Sequence, residues 1–342
     1  MTLLSPDLVV EPASPPARDD APAPSFGERR LWLQPRHGDG PRAVRVRYAL
    51  HGPDGAPVVI AQGGISADRR VCAGEDGAHG WWSALAGPGA AIDTTRVRVL
   101  AIDWLDRADL GAARAVGSED QADALAALLI ALGLGRAHAF VGASYGAMVG
   151  LAFAARHPQR LGRLVAIAGA HRAHPLAVAV RALQREIVRF GARHGDAAGG
   201  LDLARRLAMT TYRGEREFAL RFGAEPEFRD GRYRFAAEGW LEAAGARFAA
   251  RFDAERILAL SESIDLHAVD PAAVRVPATL IAFSTDRVVP LGDLCELQRR
   301  LGAPAVLHVL DSPYGHDAFL KDAAQLAPLL REAIAIEGAC HD

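Results

Sequence analysis

The chain has 342 residues, half of them apolar, and its 39 basic against 41 acidic side chains leave a formal net charge of -2. That length can bury one large core or two smaller ones, while the near-even charge balance supplies no general basic surface for nucleic acid or an anionic membrane. Cys72, Cys295 and Cys340 are odd in number, far apart and without metal-ligand spacing, which argues against a disulfide framework or a zinc site and fits a reducing cytoplasm.

Residues 1–28 carry Pro, Ala, Asp and Ser without periodicity and read as a disordered leader. They lack the positive start of a signal peptide, and no later run is apolar for long enough to span a bilayer. Val44, Val46, Tyr48 and Leu50 alternate with Arg45, Arg47 and Ala49, the period-two pattern of a half-solvated antiparallel strand at a sheet edge. The continuous apolar run from Pro57 to Ala61 predicts a strand buried on both faces, and it ends in the flexible loop Gln62-Gly63-Gly64-Ile65-Ser66-Ala67-Asp68. Val97 to Asp103 predicts another core strand. Ser118-Glu119-Asp120-Gln121 has the spacing of a capping box, with Ser118 and Gln121 serving the first turn of a helix that stops at Gly133.

Ala137 to Val141 is a third core strand, and it leads through Gly142-Ala143-Ser144-Tyr145-Gly146 into an apolar helix ending near Arg156. Strand, Gly-x-Ser-x-Gly and helix together form a nucleophile elbow, a strained turn that lifts the serine hydroxyl clear of the sheet beside a helix N-terminus. A glycine-rich turn that holds a serine by accident is the alternative, and the partners elsewhere in the chain decide between them. Leu164 to Ile167 is a further short strand. From His171 to about Val274 strand-like runs give way to arginine-rich amphipathic helices, for example Leu176 to Phe190, Leu201 to Met209 and Ala236 to Arg251. These predict a helical lid over 171–274, its charges mostly solvated faces, inserted between core segments 29–170 and 275–342. Strands return at Ala278 to Phe283 and Ala305 to Leu310, and an apolar helix from Ala318 to about Ile336 closes the pattern. Strands alternating with helices predict an α/β fold with a mostly parallel sheet covered on both faces.

Asp286 follows the first of these late strands and His316 the second, so Ser144, Asp286 and His316 come in the order nucleophile, acid, base. That is the order of the α/β-hydrolase fold. Ser144 is a weak nucleophile until His316 takes its proton, and Asp286 orients the imidazole. The backbone N–H of Tyr145, with one from Gly64 or Ile65 in the early glycine loop, would bind the oxyanion.

Several longer stretches resemble the homoserine O-acyltransferase family. They are Gly80-Trp81-Trp82 with Gly87-Pro88-Gly89 and Ala91-Ile92-Asp93-Thr94, the elbow with its helix to Arg156-His157-Pro158, Met209-Thr210-Thr211-Tyr212-Arg213, and Gly315-His316-Asp317-Ala318-Phe319-Leu320. The resemblance runs from about residue 40 to the end. It implies an α/β-hydrolase fold with an inserted helical lid, a cytoplasmic enzyme of methionine biosynthesis and a homodimer formed through the lid. It also implies Ser144 as the acylated nucleophile completed by Asp286 and His316, Arg213 on the homoserine carboxylate and Asp317 on its amino group. No metal or organic cofactor is implied beyond the acyl-CoA co-substrate.

The Gly63-Gly64-Ile65-Ser66-Ala67 loop resembles the branch that uses succinyl-CoA, and Arg69 and Arg70 are candidates by position for the succinyl carboxylate. The expectation is succinyl transfer from succinyl-CoA to the hydroxyl of L-homoserine. Acetyl-CoA as donor, serine as acceptor and plain ester hydrolysis are the alternatives. Where many members carry a glycine-rich stretch followed by Ser-Thr-Gly-Pro, this chain has Trp104-Leu105-Asp106-Arg107-Ala108-Asp109-Leu110.

Overall fold

A computed structural model describes residues 25–74, 79–111 and 113–336. Its strands are β1 (Ser25–Leu33), β2 (Arg42–His51), β3 (Val58–Gln62), β4 (Ala86–Gly87), β5 (Ile92–Asp93), β6 (Arg98–Ile102), β7 (Ala137–Ala143), β8 (Leu161–Ile167), β9 (Glu227–Arg229), β10 (Arg232–Arg234), β11 (Ala278–Phe283) and β12 (Ala305–Leu310). Eight of them form the central sheet in the order β1-β2-β6-β3-β7-β8-β11-β12, antiparallel from β1 to β6 and parallel from there on.

The apolar runs sort by period two. Ile60, Leu100, Phe140, Leu164 and Leu280 point to one face, where they pack with Leu125 and Leu129 of α1 (Ser118–Ala131) and Leu151 of α2 (Tyr145–Arg156). Val59, Val99, Val141, Val165 and Ile281 point to the other and pack with Trp82 and with Leu326 and Leu330 of α10 (Ala323–Ala333). Neither face reaches water, which is why these strands read as unbroken hydrophobic runs.

The lid enters the chain between β8 and β11 and consists of α3 (Pro175–Arg193), α4 (Ala197–Tyr212), α5 (Glu215–Phe222), α6 (Ala236–Ala249) and α7 (Ala254–Leu266), with the small β9–β10 hairpin between α5 and α6. Its two connections to the sheet lie side by side, bridged at Arg172 and Ala268, and the Val269 N–H donates to the His171 carbonyl at 2.9 Å. After the lid come α8 (Leu291–Arg300) and, beyond β12, the four-residue α9 (Ala318–Lys321). No described helix is long and apolar enough to cross a membrane.

Several expectations change. Residues 1–24 lie outside the described residues, but 25–28, expected to be disordered, belong to β1: Ser25 to Glu28 pair with Leu50 to Arg47. The alternating segment 44–50 lies one strand in from the edge, because β1 pairs along its outer side. Helix α1 starts at Ser118 with Gly117 as its cap, and the Asp120 carboxylate accepts from the Gly117 N–H at 2.7 Å. Ser118 and Gln121 turn elsewhere: the Ser118 hydroxyl pairs with His267 at the end of the lid, and Gln121 bonds both backbone groups of Leu105. The closing helix is two helices, α9 and α10, divided at Asp322. The lid is not purely helical, since β9 and β10 lie within it. Cys72 and Cys295 are free thiols, and burial pushes the Cys72 thiol up to about 12, while Cys340 lies outside the described residues.

Candidate active site

The strand order places β3 and β7 next to each other, with Gln62 opposite Gly142. Their carboxyl ends therefore deliver the glycine loop and the elbow to one spot, as open α/β sheets do for ligand sites. Ser144 has φ 55° and ψ -118°, a conformation L-residues avoid and hold only when the surroundings demand it. The surroundings do: the Ser144 N–H donates to the Ile167 carbonyl on β8 at 2.8 Å, and the Gly146 N–H donates to the Gly63 carbonyl at 2.9 Å. A Cβ at Gly142 would collide with the Gly146 carbonyl, and one at Gly146 with the Gln62 carbonyl. The tight turn is thus enforced from both flanks.

The base and its orienter arrive from the far side of the sheet. Ser144 Oγ lies 2.8 Å from His316 Nε2, and His316 Nδ1 lies 2.7 Å from Asp286 Oδ2. The other Asp286 oxygen accepts from the N–H groups of Val288 and Val289 at 2.8 and 3.0 Å, so the carboxylate cannot rotate away. Burial disfavours a charged His316, but the nearby Asp286 and Asp317 carboxylates outweigh it and hold the imidazole above its ordinary value. The arrangement suits a group that must take up a proton during reaction and release it again. Ser144, Asp286 and His316 thus form a Ser–His–Asp triad.

The N–H of Tyr145, in the first turn of α2, and that of Ile65 donate to no described residue, while Gly64, Ile65, Ser144, His316 and Asp317 line one cavity of about 150 Å³. The two free donors suit a negatively charged oxygen beside Ser144. The roof of the cavity is the lid, through Arg181, Arg185 and Val188 of α3, Leu201, Arg205 and Tyr212 of α4, and Ser261 of α7. Sequence reasoning missed these arginines. Asp265 accepts from Arg181 Nε and from Arg185 Nη1, each at 2.6 Å, so two guanidinium groups share one carboxylate. Arg181 is only 6% exposed, and its Nη2 is buried with no partner among the described residues. Many lid charges are therefore not solvated faces. The reason for the miss is composition: in an arginine-rich chain the i, i+4 pair 181 and 185 looks like every other helical arginine pair, and its shared acid sits 80 residues further on.

Arg69 and Arg70 do not reach the cavity. Arg69 is held by Asp103 at 2.6 Å, and both guanidinium groups lie over the Phe26 ring at 5.5 and 5.4 Å. Arg213 and Asp317 are brought together, Nε to Oδ2, at 2.8 Å. Arg213 Nη1 also contacts both oxygens of the buried Glu217 at 3.1 Å, and the guanidinium stands behind Asp317 rather than in the cavity wall. The contact depends on two glycines: a Cβ on Gly315, whose φ is +60°, would lie 2.8 Å from the Gly214 nitrogen and 3.0 Å from the Arg213 carbonyl carbon, and a Cβ on Gly214 would strike the Pro313 carbonyl. The end of α4 and the turn carrying His316 are packed backbone to backbone.

The eight-stranded sheet, the elbow and the triad define an α/β-hydrolase-fold enzyme, and a sequence model described as the alpha/beta hydrolase fold matches residues 56–323. A homoserine O-succinyltransferase of Xanthomonas campestris pv. campestris is 49% identical over 99% of this chain and 91% of its own length, and a serine O-succinyltransferase of the same species is 32% identical over 85% of this chain and 92% of its own. Among solved structures, homoserine O-acetyltransferase from Bacillus anthracis superposes with a TM-score of 0.83 at 18% identity, covering 94% of this chain and all of its own, a likeness of fold. With half its residues shared along nearly its whole length with such an enzyme, the chain belongs to the homoserine O-acyltransferase family.

Proposed function

We propose that the protein transfers a succinyl group from succinyl-CoA to the hydroxyl of L-homoserine through an acyl-enzyme on Ser144, a step of methionine biosynthesis in the cytoplasm. The observation that carries the choice of acyl group is the Arg181–Asp265–Arg185 cluster, whose two arginines line the cavity that holds Ser144. Two cations and one anion leave a positive charge without a counter-ion, and a succinyl group brings a carboxylate to meet it while an acetyl group does not.

In the first half-reaction His316 Nε2 takes the Ser144 proton, and the serine oxygen attacks the thioester carbon. The carbonyl oxygen becomes an oxyanion held by the Tyr145 and Ile65 N–H groups. The carbon–sulfur bond breaks, and the proton on His316 passes to the departing CoA thiolate. In the second half His316 takes the proton of the homoserine hydroxyl, that oxygen attacks the acyl carbon, and the proton returns to Ser144 as its ester bond breaks. Atoms and charges balance without a metal or organic cofactor.

Homoserine is a zwitterion, and the Arg213–Asp317 pair is its mirror image in charge. Asp317 lines the cavity and would take the ammonium, and Arg213, released from Asp317, would turn from behind it to the carboxylate while keeping Glu217, so no buried charge is left alone. Serine carries the same two charges, and the length of its side chain is what a rate comparison reads.

The lid also presents Leu176, Leu183 and Phe190 on α3, seven residues apart and 59–64% exposed, which supports a homodimer formed through this surface. Light scattering should give twice the monomer mass, and Leu183→Asp should give the monomer.

The deciding experiment incubates the enzyme with equal acetyl-CoA and succinyl-CoA and weighs the adduct on Ser144. A succinyl adduct is expected. An adduct dominated by acetyl, together with faster acetyl turnover, would overturn the donor assignment.

A further inference from the structure

Trp104 lies just beyond β6, and its contacts converge on the oxyanion donors. Its indole N–H donates to the Gly64 carbonyl at 2.9 Å, and the Ala67 N–H donates to the same oxygen at 2.9 Å. The Gly64 carbonyl and the Ile65 N–H belong to one planar trans peptide, in which the two point in opposite directions. Two donors clamping the oxygen therefore fix the direction of the Ile65 N–H on the other side. They also polarise the peptide, which strengthens that N–H as a donor.

The second oxyanion donor is tied to the same side chain. The Tyr145 ring packs edge-on against the Trp104 indole with centroids 4.9 Å apart, and the Tyr145 hydroxyl lies 2.6 Å from Ser263 Oγ on α7. Helix α7 grips the Trp104 segment as well, since Arg256 donates to the Trp104 carbonyl at 2.6 Å and to Asp106 at 2.8 Å. Trp104 is 1% exposed and absent from the cavity wall, so it touches neither the reacting atoms nor the substrate.

We propose that Trp104 is a positioning residue of the oxyanion site: it aims the Ile65 N–H through the Gly64 carbonyl, braces Tyr145, and couples both donors to lid helix α7. The inference rests on the acyl-enzyme reading of Ser144 but not on the identity of acyl group or acceptor.

The test compares Trp104→Phe with wild type on a matched pair of activated acyl esters, one with an oxygen carbonyl and one with a thiocarbonyl. A site aimed at oxygen prefers the oxygen ester, because sulfur sits further from carbon and accepts hydrogen bonds weakly. Trp104→Phe should lower kcat for the oxygen ester about tenfold, less than the ~10²- to 10³-fold loss of a whole donor, with KM nearly constant. The oxygen-over-sulfur preference should shrink by the same factor. This ratio does not depend on how much enzyme is folded, and Phe153→Leu, which thins the core away from the site, should leave it at the wild-type value. Ser263→Ala should shrink it by a smaller factor. An unchanged ratio in Trp104→Phe, with or without a fall in rate, would overturn the proposal. Failure of the homoserine reading shows separately, as wild type that hydrolyses both esters yet transfers nothing to homoserine.

Discussion

The carboxyl end of the sheet and the lid contribute to one cavity by different means. On the sheet side, the positions of Ser144, Asp286 and His316 follow from backbone: a forced turn, two glycines without room for a Cβ, and a carboxylate pinned by two N–H groups. On the lid side, position follows from ion pairs between helices, Arg181 and Arg185 on Asp265, and Arg213 on Asp317 and Glu217. Backbone geometry serves a reaction that is the same for every acyl ester. On the proposed function, charge pairs serve choice, because a substrate of matching charge can enter the pair.

If that division is right, variants on the two sides should fail differently. The largest effect is expected from Ser144→Ala, which should lower kcat by at least about 10⁴-fold for homoserine transfer and for hydrolysis of an activated ester alike. A loss confined to transfer would place the nucleophile elsewhere. Next, Arg213→Ala should raise the homoserine KM about 10²- to 10³-fold, as expected when one partner of a buried pair is removed, with ester hydrolysis nearly intact. An unchanged homoserine KM would break the acceptor assignment. Arg181→Gln should then reduce kcat/KM for succinyl-CoA by about 10- to 10²-fold, the worth of a charge-assisted hydrogen bond, and leave acetyl-CoA almost unaffected. Equal losses with both donors would make the cluster structural.

The smallest effect joins the two regions. His316 must be neutral to take a proton, so kcat/KM for ester hydrolysis should fall in acid through an ionisation above the usual imidazole value. Asp317 contributes to that elevation by favouring the charged ring. Asp317→Asn removes this influence, lowers the His316 pKa and should move the acid limb to lower pH. A limb that stays in place or rises would mean that Asp317 does not act on the base.

The same division explains what could be read from sequence. The elbow, the strand after which each triad member falls, and the α/β class were legible because Gly-x-Ser-x-Gly and unbroken apolar runs each reflect a local steric requirement. Ile281 and Val165 must be apolar wherever the lid goes. The Arg181–Asp265 pair has no local signature, since it depends on how α3 and α7 cross. Residues 69 and 70 looked suitable because they follow the oxyanion loop, but Asp103 and Phe26 hold them on the outer side. Trp104 was visible only as a break from the family pattern, and its meaning depends on which carbonyl its indole meets. The β1 edge strand was lost to sequence reasoning for another reason: of its nine residues only Leu31 and Leu33 are buried, leaving no period to detect.

The contact of Gly214 with Gly315 has a consequence for water. With no side chain between them, the end of α4 and the turn bearing His316 are in backbone contact, so a displacement of α4 would shift the imidazole with it. Any motion wide enough to flood the acyl-enzyme with solvent would also withdraw the base that water needs to attack. Either acceptor of an acyl group on Ser144, water or homoserine, therefore reacts only while the end of α4 rests on that turn.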